Sequence, residues 1–415
     1  MKELTVNTSP TRFDPLDVSR AEFYANDTWR EPFSQLRAEA PIYRCTGSKF
    51  GDYWSVSTYQ HIMDIEALPQ IFSSSWEYGG ITIAFDTYDL LEDEVRLPMF
   101  IAMDPPRHTE QRRMVAPAFG PSQVAAMKAD VQQRTAEVLD SLPIGTPFDW
   151  VEKVSVELPT GMLARMFDFP WEERHKLTYW SDLGGDVELV REPGGLALRN
   201  AAMNEMGQAF AQLWQEKAAN PGQDLISVMM QSDAMKEMSP EEFIGNLILL
   251  IVGGNDTTRN SMSAIAYGLH KFPEERAKLE ADPSLIPNAV QELIRWQTPL
   301  SHTRRTVVED TVFEGVQMNK GDKVVLWYIS ANHDETVFDD PYALKIDRAN
   351  ARRHLAFGCG IHRCVGARIA EVQLHTLLEE MSKRRLRVNV IEEPERVPAC
   401  WVHGYSKMMV TLEHY

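Results

Sequence analysis

The sequence predicts a mainly helical protein with small β-sheets (α+β), organised as a single domain over residues 1–415. Helical spacing of apolar residues dominates the chain, and strand signals are few and short. No Pro/Gly/Ser-rich linker divides it, and 415 residues are enough for one large domain with a substantial core. The helical patterns cover residues 121–142, 200–217, 240–271, 287–297 and 365–384.

The longest helical pattern starts at SPEEF. Ser239 is expected to cap this helix, Pro240 suits its first position, and Glu242 completes a capping box. The pattern continues for about 32 residues, or roughly 48 Å. Its centre, LILLIVGGNDTT, is apolar on nearly every side, which predicts a helix buried in the middle of the protein.

Strand signals occur at residues 53–58, at residues 305–328 and at the C-terminal KMMVTLEHY. The middle segment predicts a hairpin with turns at Glu314-Gly315 and Lys320-Gly321. These strands are too few to form more than small sheets.

Composition and charge narrow the function classes. A net charge of −18 argues against nucleic-acid binding, and the longest apolar run, LILLIV, is far shorter than the roughly 20 residues of a membrane span. Four cysteines are too few for a disulfide framework, and MKELTVNTSP has no apolar signal segment. We therefore expect a soluble, cytoplasmic protein without a membrane span, and we expect a monomer.

Two glycines interrupt the central helix, although each costs about 1 kcal/mol relative to alanine. Gly253 and Gly254 are followed at once by Asp256, Thr257 and Thr258. One interpretation is a kink beside a small polar pocket. The other is a flat, bulky group that presses on the glycines, with an acid and a hydroxyl beside it to relay protons. A buried carboxylate is costly without a partner, so Asp256 needs a reason to be there.

A second unusual segment is HLAFGCGIHRCVG, residues 354–366. It is not a dinucleotide loop, because Arg363 occupies the place of the last glycine and no strand–helix–strand unit follows. A zinc site of Cys359, Cys364, His354 and His362 matches no usual ligand spacing.

A haem ligand explains this segment better. Cys364 precedes a predicted helix, and a helix N-terminus lowers the pKa of a thiol and favours its thiolate form. A thiolate can ligate haem iron and push electron density toward O–O cleavage. Gly358 and Gly360 allow a tight turn beneath a macrocycle, and Cys359 is expected to be a packing residue.

These motifs resemble those of the cytochromes P450. FGCGIHRCVG matches the haem-thiolate pattern F-x-x-G-x-R/H-x-C-x-G, and GGNDTT resembles the oxygen-activation motif of the family's central helix. QELIRW carries its E-x-x-R pair, and DPPRHTEQRRMV resembles a segment that reaches a haem propionate. The motifs occur in family order between residues 104 and 366.

The resemblance implies a cytochrome P450 fold with one haem (heme b) between the central helix and the cysteine loop. Cys364 would be the axial metal ligand, and Asp256 and Thr257 would deliver protons. Glu292, Arg295 and Arg348 would form a structural ion-pair network. The residues implied in cofactor binding are His108, Arg112, Gly253, Arg305, Phe357, Gly358, His362, Cys364 and Gly366.

Physical chemistry supports several of these roles. Arginine and histidine donors satisfy propionates by charge-assisted hydrogen bonds, and His108 and Arg112 share a helix face at i, i+4. Glu292 and Arg295 also share a face, at i, i+3. For that pair the residues alone allow an exposed ion pair worth little, and the resemblance implies a buried one.

Within the family the motifs most resemble the bacterial alkane and fatty-acid terminal hydroxylases, which use O₂ and electrons from a 2Fe–2S ferredoxin and its reductase. Arginines near the haem motifs would steer an acidic ferredoxin, chiefly Arg113, Arg352 and Arg363. The implied pocket for a hydrophobic straight-chain substrate contains Ile83, Phe100, Leu249, Val252, Leu300 and Val402.

Three functions remain open from the sequence. The first is terminal hydroxylation of medium-chain alkanes or fatty acids, and the second is hydroxylation of a ring substrate such as a terpenoid or an aromatic acid. The third is a haem-thiolate sensor without turnover. The Asp256-Thr257 pair argues against the sensor, which needs no proton relay.

Overall fold

The computed structural model describes residues 14–89, 94, 97–231 and 238–415, so the N-terminal segment considered above lies outside the described residues. It confirms the predicted class, with many helices and four small sheets in the described part. The α-helices are α1 (Ala21–Ala25), α2 (Arg30–Glu39), α3 (Tyr59–Glu66), α4 (Arg107–Val115), α5 (Pro121–Ser141), α6 (Glu157–Phe167), α7 (His175–Gly185), α8 (Gly195–Ala219), α9 (Leu225–Met230), α10 (Pro240–Lys271), α11 (Pro273–Ala281), α12 (Ile286–Gln297), α13 (Tyr328–Ala331) and α14 (Ala367–Lys383).

The strands form a five-stranded sheet in the order β1-β2-β8-β5-β3, a three-stranded sheet in the order β4-β12-β9, and the pairs β6-β7 and β10-β11. In the largest sheet, β2 and β8 are parallel and the other neighbours are antiparallel. The strands are β1 (Ile42–Cys45), β2 (Tyr53–Val56), β3 (Phe72–Ser73), β4 (Phe148–Asp149), β5 (Thr303–Val307), β6 (Thr311–Phe313), β7 (Val316–Met318), β8 (Lys323–Leu326), β9 (Leu386–Val390), β10 (Glu395–Arg396), β11 (Tyr405–Lys407) and β12 (Met409–His414).

The predicted hairpin at residues 305–328 is two nested pairings. Glu314 and Gly315 both have positive φ, 48° and 78°, and form the tight turn between β6 and β7. Gly321, with φ of 93°, precedes β8, which returns to pair with β5 in the five-stranded sheet. The predicted turns are confirmed, and the single hairpin is wrong because the second turn redirects the chain into another sheet.

Helix α10 crosses the centre of the protein, as its apolar sequence predicted. Both halves of the capping box are present, since the Ser239 hydroxyl accepts from the Glu242 amide and the Glu242 carboxylate accepts from the Ser239 amide at 2.9 Å. Nearly every residue from Asn255 to Leu269 is buried. The helix packs against α6, α7, α12 and α14, so its middle faces the interior from several sides.

The cysteine segment lies on the other side of this interior. A short 3₁₀ helix, Gly360–His362, is followed by α14, which packs along α5 and against α10 and α12. The fold therefore brings the middle of α10 and the start of α14 to opposite walls of one space. Among the described residues, no helix is both long enough and apolar enough to cross a membrane.

Candidate active site

A cavity of about 320 Å³ lies between the middle of α10 and the loop before α14. The two unusual motifs of the sequence meet there. The cysteine loop contributes Phe357, Gly358, His362, Cys364 and Gly366, and α10 contributes Gly253, Asp256 and Thr257.

The cysteine loop holds Cys364 at the cavity wall. The Cys364 amide donates to the Phe357 carbonyl at 2.8 Å, and its side chain is accessible from the cavity. Gly358 and Gly360 have φ values of 66° and 62°, so both occupy the left-handed region that favours glycine. A Cβ on Gly360 would also lie 2.7 Å from the Glu66 carbonyl oxygen. The predicted tight turn beneath the cavity is confirmed.

The amides at the helix start lower the pKa of Cys364 as predicted, but the net pKa of the thiol is raised in the protein alone. Burial raises the pKa of the thiol, and the backbone amides of Gly366 and Ala367 and the charge of Arg112 offset this only in part. The helix itself begins three residues after the cysteine, at Ala367, among apolar walls. A metal cation at the sulfur would favour the thiolate, because a coordinating thiol is deprotonated.

Buried polar atoms without partners mark one edge of the cavity. Both ring nitrogens of His108 and of His362 are buried without a hydrogen-bond partner in the described part of the chain, and so is Arg112 Nη1. The two imidazole rings meet edge to face with centroids 4.4 Å apart. Burial lowers the pKa of both histidines, so they are neutral donors at neutral pH. Such orphaned donors fit a ligand that brings carboxylate acceptors, as the haem propionates do.

Arg305 lines the cavity, and it also has a partner that the sequence did not predict. Its Nη2 atom donates to both carboxylate oxygens of Glu66 at 2.7 Å, and the Tyr328 hydroxyl donates to the same carboxylate at 2.5 Å. That edge of the guanidinium is therefore committed to a buried ion pair with the protein. No signal in the sequence indicates this partner, because Glu66 is an ordinary acidic residue at the end of α3.

Asp256 has the partners that its burial requires. Its Oδ1 atom accepts from the Ser181 hydroxyl at 2.8 Å and from Arg259 Nη2 at 3.1 Å. Arg259 also pairs with Asp182 at 2.8 Å, so the cluster joins α10 to α7. Burial raises the pKa of Asp256 to about 6 despite the nearby guanidinium. A carboxyl group with this pKa gains and loses a proton near neutral pH at little cost.

Thr257 and the two glycines complete this wall. The Thr257 hydroxyl donates to the Gly253 carbonyl at 2.7 Å, and its side chain is exposed to the cavity. A Cβ on Gly253 would meet no heavy atom within 4 Å, whereas one on Gly254 would lie 3.0 Å from Leu163. Gly253 therefore leaves open space at the cavity, and Gly254 allows α6 to approach. The partners of Asp256 support the interpretation as a polar pocket, and the open space at Gly253 supports the interpretation as room for a flat group.

The ion-pair network lies outside the cavity. Glu292 and Arg295 are fully buried and pair at 2.7 Å, and Arg348 Nε donates to the same carboxylate at 2.9 Å. Arg295 also donates to the carbonyls of Asn332 and Pro341. The arrangement ties α12 to the segment before the cysteine loop. Removal of one partner from such a buried pair typically costs about 3–5 kcal/mol.

Five of the six predicted pocket residues line the cavity, and one does not. The five are Phe100, Leu249, Val252, Leu300 and Val402, and Leu300 forms an antiparallel bridge with Val402. Ile83 is fully buried in a neighbouring core cluster and lies off the cavity wall. This prediction is wrong: Ile83 lies in a segment of turns and bends, and its neighbours Ile81 and Phe85 line the cavity instead.

The other features of the sequence also have clear positions. Cys359 is half-buried against an apolar cluster, as predicted. In the part of the chain that the structure describes, no three histidine, cysteine or acidic side chains converge on a metal site, so the zinc interpretation has no support. Arg199 of α8 lines the cavity and was not predicted, because nothing in the α8 sequence distinguishes it from a solvent-exposed residue.

The thiol and the acid–alcohol pair face one apolar cavity, whose edge carries unpartnered histidine and arginine donors. This arrangement defines a haem-thiolate protein. A family model described as Cytochrome P450 matches residues 197–396. Linalool 8-monooxygenase of Pseudomonas putida is 32% identical over 95% of this chain and 98% of its own length.

A methyl-branched lipid omega-hydroxylase of Mycobacterium tuberculosis is also 32% identical, over 95% of this chain and 94% of its own length. The solved structure of CYP153D17 from Sphingomonas sp. PAMC 26605 is 60% identical and has a TM-score of 0.90, with 97% of this chain and 100% of that chain covered. The chain belongs to the cytochrome P450 family. It is a monooxygenase that uses haem with a cysteine thiolate ligand.

Proposed function

We propose that this cytochrome P450 hydroxylates the terminal carbon of medium-chain alkanes or fatty acids, with O₂ and electrons from a 2Fe–2S ferredoxin and its reductase. The observation that carries the proposal is the apolar wall opposite Cys364, where Val252, Leu300 and Val402 line the cavity. The similarity to a lipid omega-hydroxylase supports it. The four cysteines, free in the described structure, support a cytoplasmic location.

The residues divide into those that hold the haem and those that handle protons. Cys364 would ligate the haem iron, His108, Arg112 and His362 would bind the propionates, and Gly253 would leave room for the ring. When bound, the haem supplies activation of O₂ for insertion of one oxygen atom into a C–H bond. Asp256 exchanges protons with its surroundings near neutral pH, and the Thr257 hydroxyl, which donates to the Gly253 carbonyl, presents its oxygen as an acceptor at the cavity surface.

The substrate wall determines which carbon reacts. A hydrocarbon chain gains about 0.8 kcal/mol for each CH₂ that it buries, so affinity should rise with chain length until the cavity is full. The terminal C–H bond is stronger than its neighbours, and an unconfined chain is therefore oxidised at internal positions. Val252 and Leu300 line the cavity, and in this proposal they hold the methyl group nearest the reacting centre and keep the next carbons away.

We expect Leu300→Ala and Val252→Ala to move oxidation inward along a straight chain. Each change removes methyl groups from the wall and lets a second or third carbon approach. The measurement is the ratio of terminal to internal alcohols from decane. Ile83→Val is the matched control, since Ile83 lies in the core beside the cavity and the ratio should stay as in the wild type. A wild-type enzyme that gives mainly internal alcohols would contradict the proposal.

Terpenoid oxidation is the second candidate, because one relative at 32% identity is a linalool 8-monooxygenase. The same apolar cavity accepts a terpenoid. Turnover of terpenoid or aromatic substrates without turnover of straight chains would favour this candidate.

Arginines around the cysteine loop support an acidic redox partner. Arg113, Arg352 and Arg363 are exposed, whereas Arg112 is partly buried and donates to the Arg363 carbonyl. Exposed charges steer an acidic ferredoxin, and salt screens this attraction over about 8 Å at physiological ionic strength. Reduction by the ferredoxin should therefore slow as salt rises.

The Arg352→Gln and Arg363→Gln variants should weaken this salt dependence. Arg165→Gln removes an exposed arginine of α6 that pairs with Asp130; it is the control and should leave the salt dependence unchanged. The measurement is the rate of haem reduction in stopped flow across a series of salt concentrations. A rate that does not depend on salt in the wild type would rule out electrostatic steering.

A further inference from the structure

One cationic side chain lines the cavity from α8, away from the cysteine loop. Arg199 is half-buried near the start of this helix, and its guanidinium carbon lies 5.9 Å from the centre of the Phe85 ring, which also lines the cavity. Other residues of the cavity lining are apolar, among them Ile81, Leu300 and Trp401. Arg112 and Arg305, the other arginines of the lining, interact with the cysteine loop and with Glu66.

This guanidinium carries its charge beside a largely apolar cavity lining. Its described interactions are the Phe85 ring and the attraction of Glu94, and burial lowers the pKa of Arg199. Arginine does not lose its proton in proteins, so the side chain remains a cation in apolar surroundings. A cation in such a place is stabilised by an anionic partner with two oxygens, which matches its planar donors. The apolar lining between α8 and α10 suits an alkyl chain attached to that anion.

We propose that Arg199 binds the carboxylate of a fatty-acid substrate and thereby makes the enzyme selective for medium-chain acids over alkanes. This inference rests on the proposed function, because it assumes that the methyl end of the same chain lies at the wall of Val252 and Leu300. An anchored carboxylate fixes the position of the whole chain. One acid length then places its methyl group at the wall with the help of the anchor, whereas an alkane lacks the anchor and is positioned by the wall alone.

The test compares three ligands that share one alkyl chain: decanoic acid, its methyl ester and 1-decanol. Each is titrated into the haem-loaded full chain, and the spin-state shift of the haem reports the dissociation constant. In Arg199→Met, which keeps most of the side chain's length without its charge, the acid should bind about tenfold more weakly or worse. The ester and the alcohol should change by less than about twofold, because neither carries the charge that the pair requires.

Two variants separate a specific contact from a general charge effect. Arg199→Lys keeps the cation and should recover most of the acid affinity. Lys49 pairs with Glu188 and Glu192, which lie just before α8, and Lys49 is not part of the cavity lining. Lys49→Met therefore removes a positive charge outside the cavity, and it should leave the affinities for the acid, the ester and the alcohol unchanged.

Two results would overturn the proposal that Arg199 binds the carboxylate. One is an unchanged affinity for the acid in Arg199→Met, and the other is an equal loss of affinity for the acid, the ester and the alcohol. Acid-specific loss with recovery in Arg199→Lys supports it. The position of attack is measured separately on decane, which has no carboxylate. Internal alcohols from decane would contradict the proposed function while the binding data still decide the role of Arg199.

Discussion

Replacement of Cys364 with alanine should abolish the red-shifted absorption band of the reduced, CO-bound protein and with it all monooxygenase activity. The thiol is accessible from the cavity, at the end of a loop shaped by Gly358 and Gly360. No other cysteine lines this cavity among the described residues. The measurement is the CO difference spectrum together with the haem content of the purified variant. Cys364→His tests whether another ligand in the same place retains haem without the thiolate band.

Cys359→Ala is the matched control for this experiment. Cys359 lies in the same loop but packs against an apolar cluster, and burial raises its pKa to about 12. Its replacement should leave the band and the activity in place. If the thiolate band persists in Cys364→Ala, or disappears only in Cys359→Ala, the ligand assignment is wrong.

Asp256→Asn should lower kcat by about a hundredfold, which is the lower end of what a positioned acid or base contributes. Asparagine keeps the shape and the contact with Ser181, but it cannot exchange a proton. Substrate affinity should change little, because the loss concerns turnover. Turnover with saturating substrate and the spin-state titration measure the two quantities separately. An equal loss in both would indicate a disturbed pocket.

Thr257→Ala should still consume reductant but release more of it as hydrogen peroxide. The Thr257 hydroxyl faces the cavity and donates to the Gly253 carbonyl, so alanine removes a hydroxyl oxygen of fixed position at small steric cost. Thr257→Ser keeps the hydroxyl and should restore most of the coupling. The ratio of product to reductant consumed is the measurement, and unchanged coupling in Thr257→Ala would argue against the role.

The raised pKa of Asp256 predicts how the turnover and the stability of the enzyme depend on pH. Burial raises it from 3.8 to about 6, so the protonated fraction falls as pH rises past 6, and turnover limited by proton donation should fall with it. Between these two pKa values, the Asp256 carboxyl group binds more protons in the folded protein than in the unfolded chain. The stability that this proton contributes is therefore full below about pH 4 and is lost as pH rises to about 6. Asp256→Asn should flatten both profiles.

Local signals in the sequence were enough for much of this structure. The capping box of α10, the turn at Glu314-Gly315 and the glycines of the cysteine loop depend on neighbouring residues, and each is present in the structure. The pair Glu292 and Arg295 shares a helix face at i, i+3, and the residues alone left its burial open. Burial depends on what packs against α12.

The features that the sequence did not predict depend on distant parts of the chain. Glu66 of α3 bonds Arg305 of β5 and Ser181 of α7 bonds Asp256 of α10, and in both pairs the partners are far apart in the sequence. The raised pKa of Cys364 comes from the walls of the cavity, which the helix-start argument ignored. Ile83 was misplaced because it lies in a segment of turns and bends.

The most direct test of the central claim is the product formed from decane and ¹⁸O₂ by the haem-loaded enzyme with a ferredoxin and its reductase. If the enzyme is a terminal hydroxylase, its main product is 1-decanol, and each molecule carries one labelled oxygen atom. Mainly internal decanols would contradict the proposed role of Val252 and Leu300, and 1-decanol without the label would contradict monooxygenation.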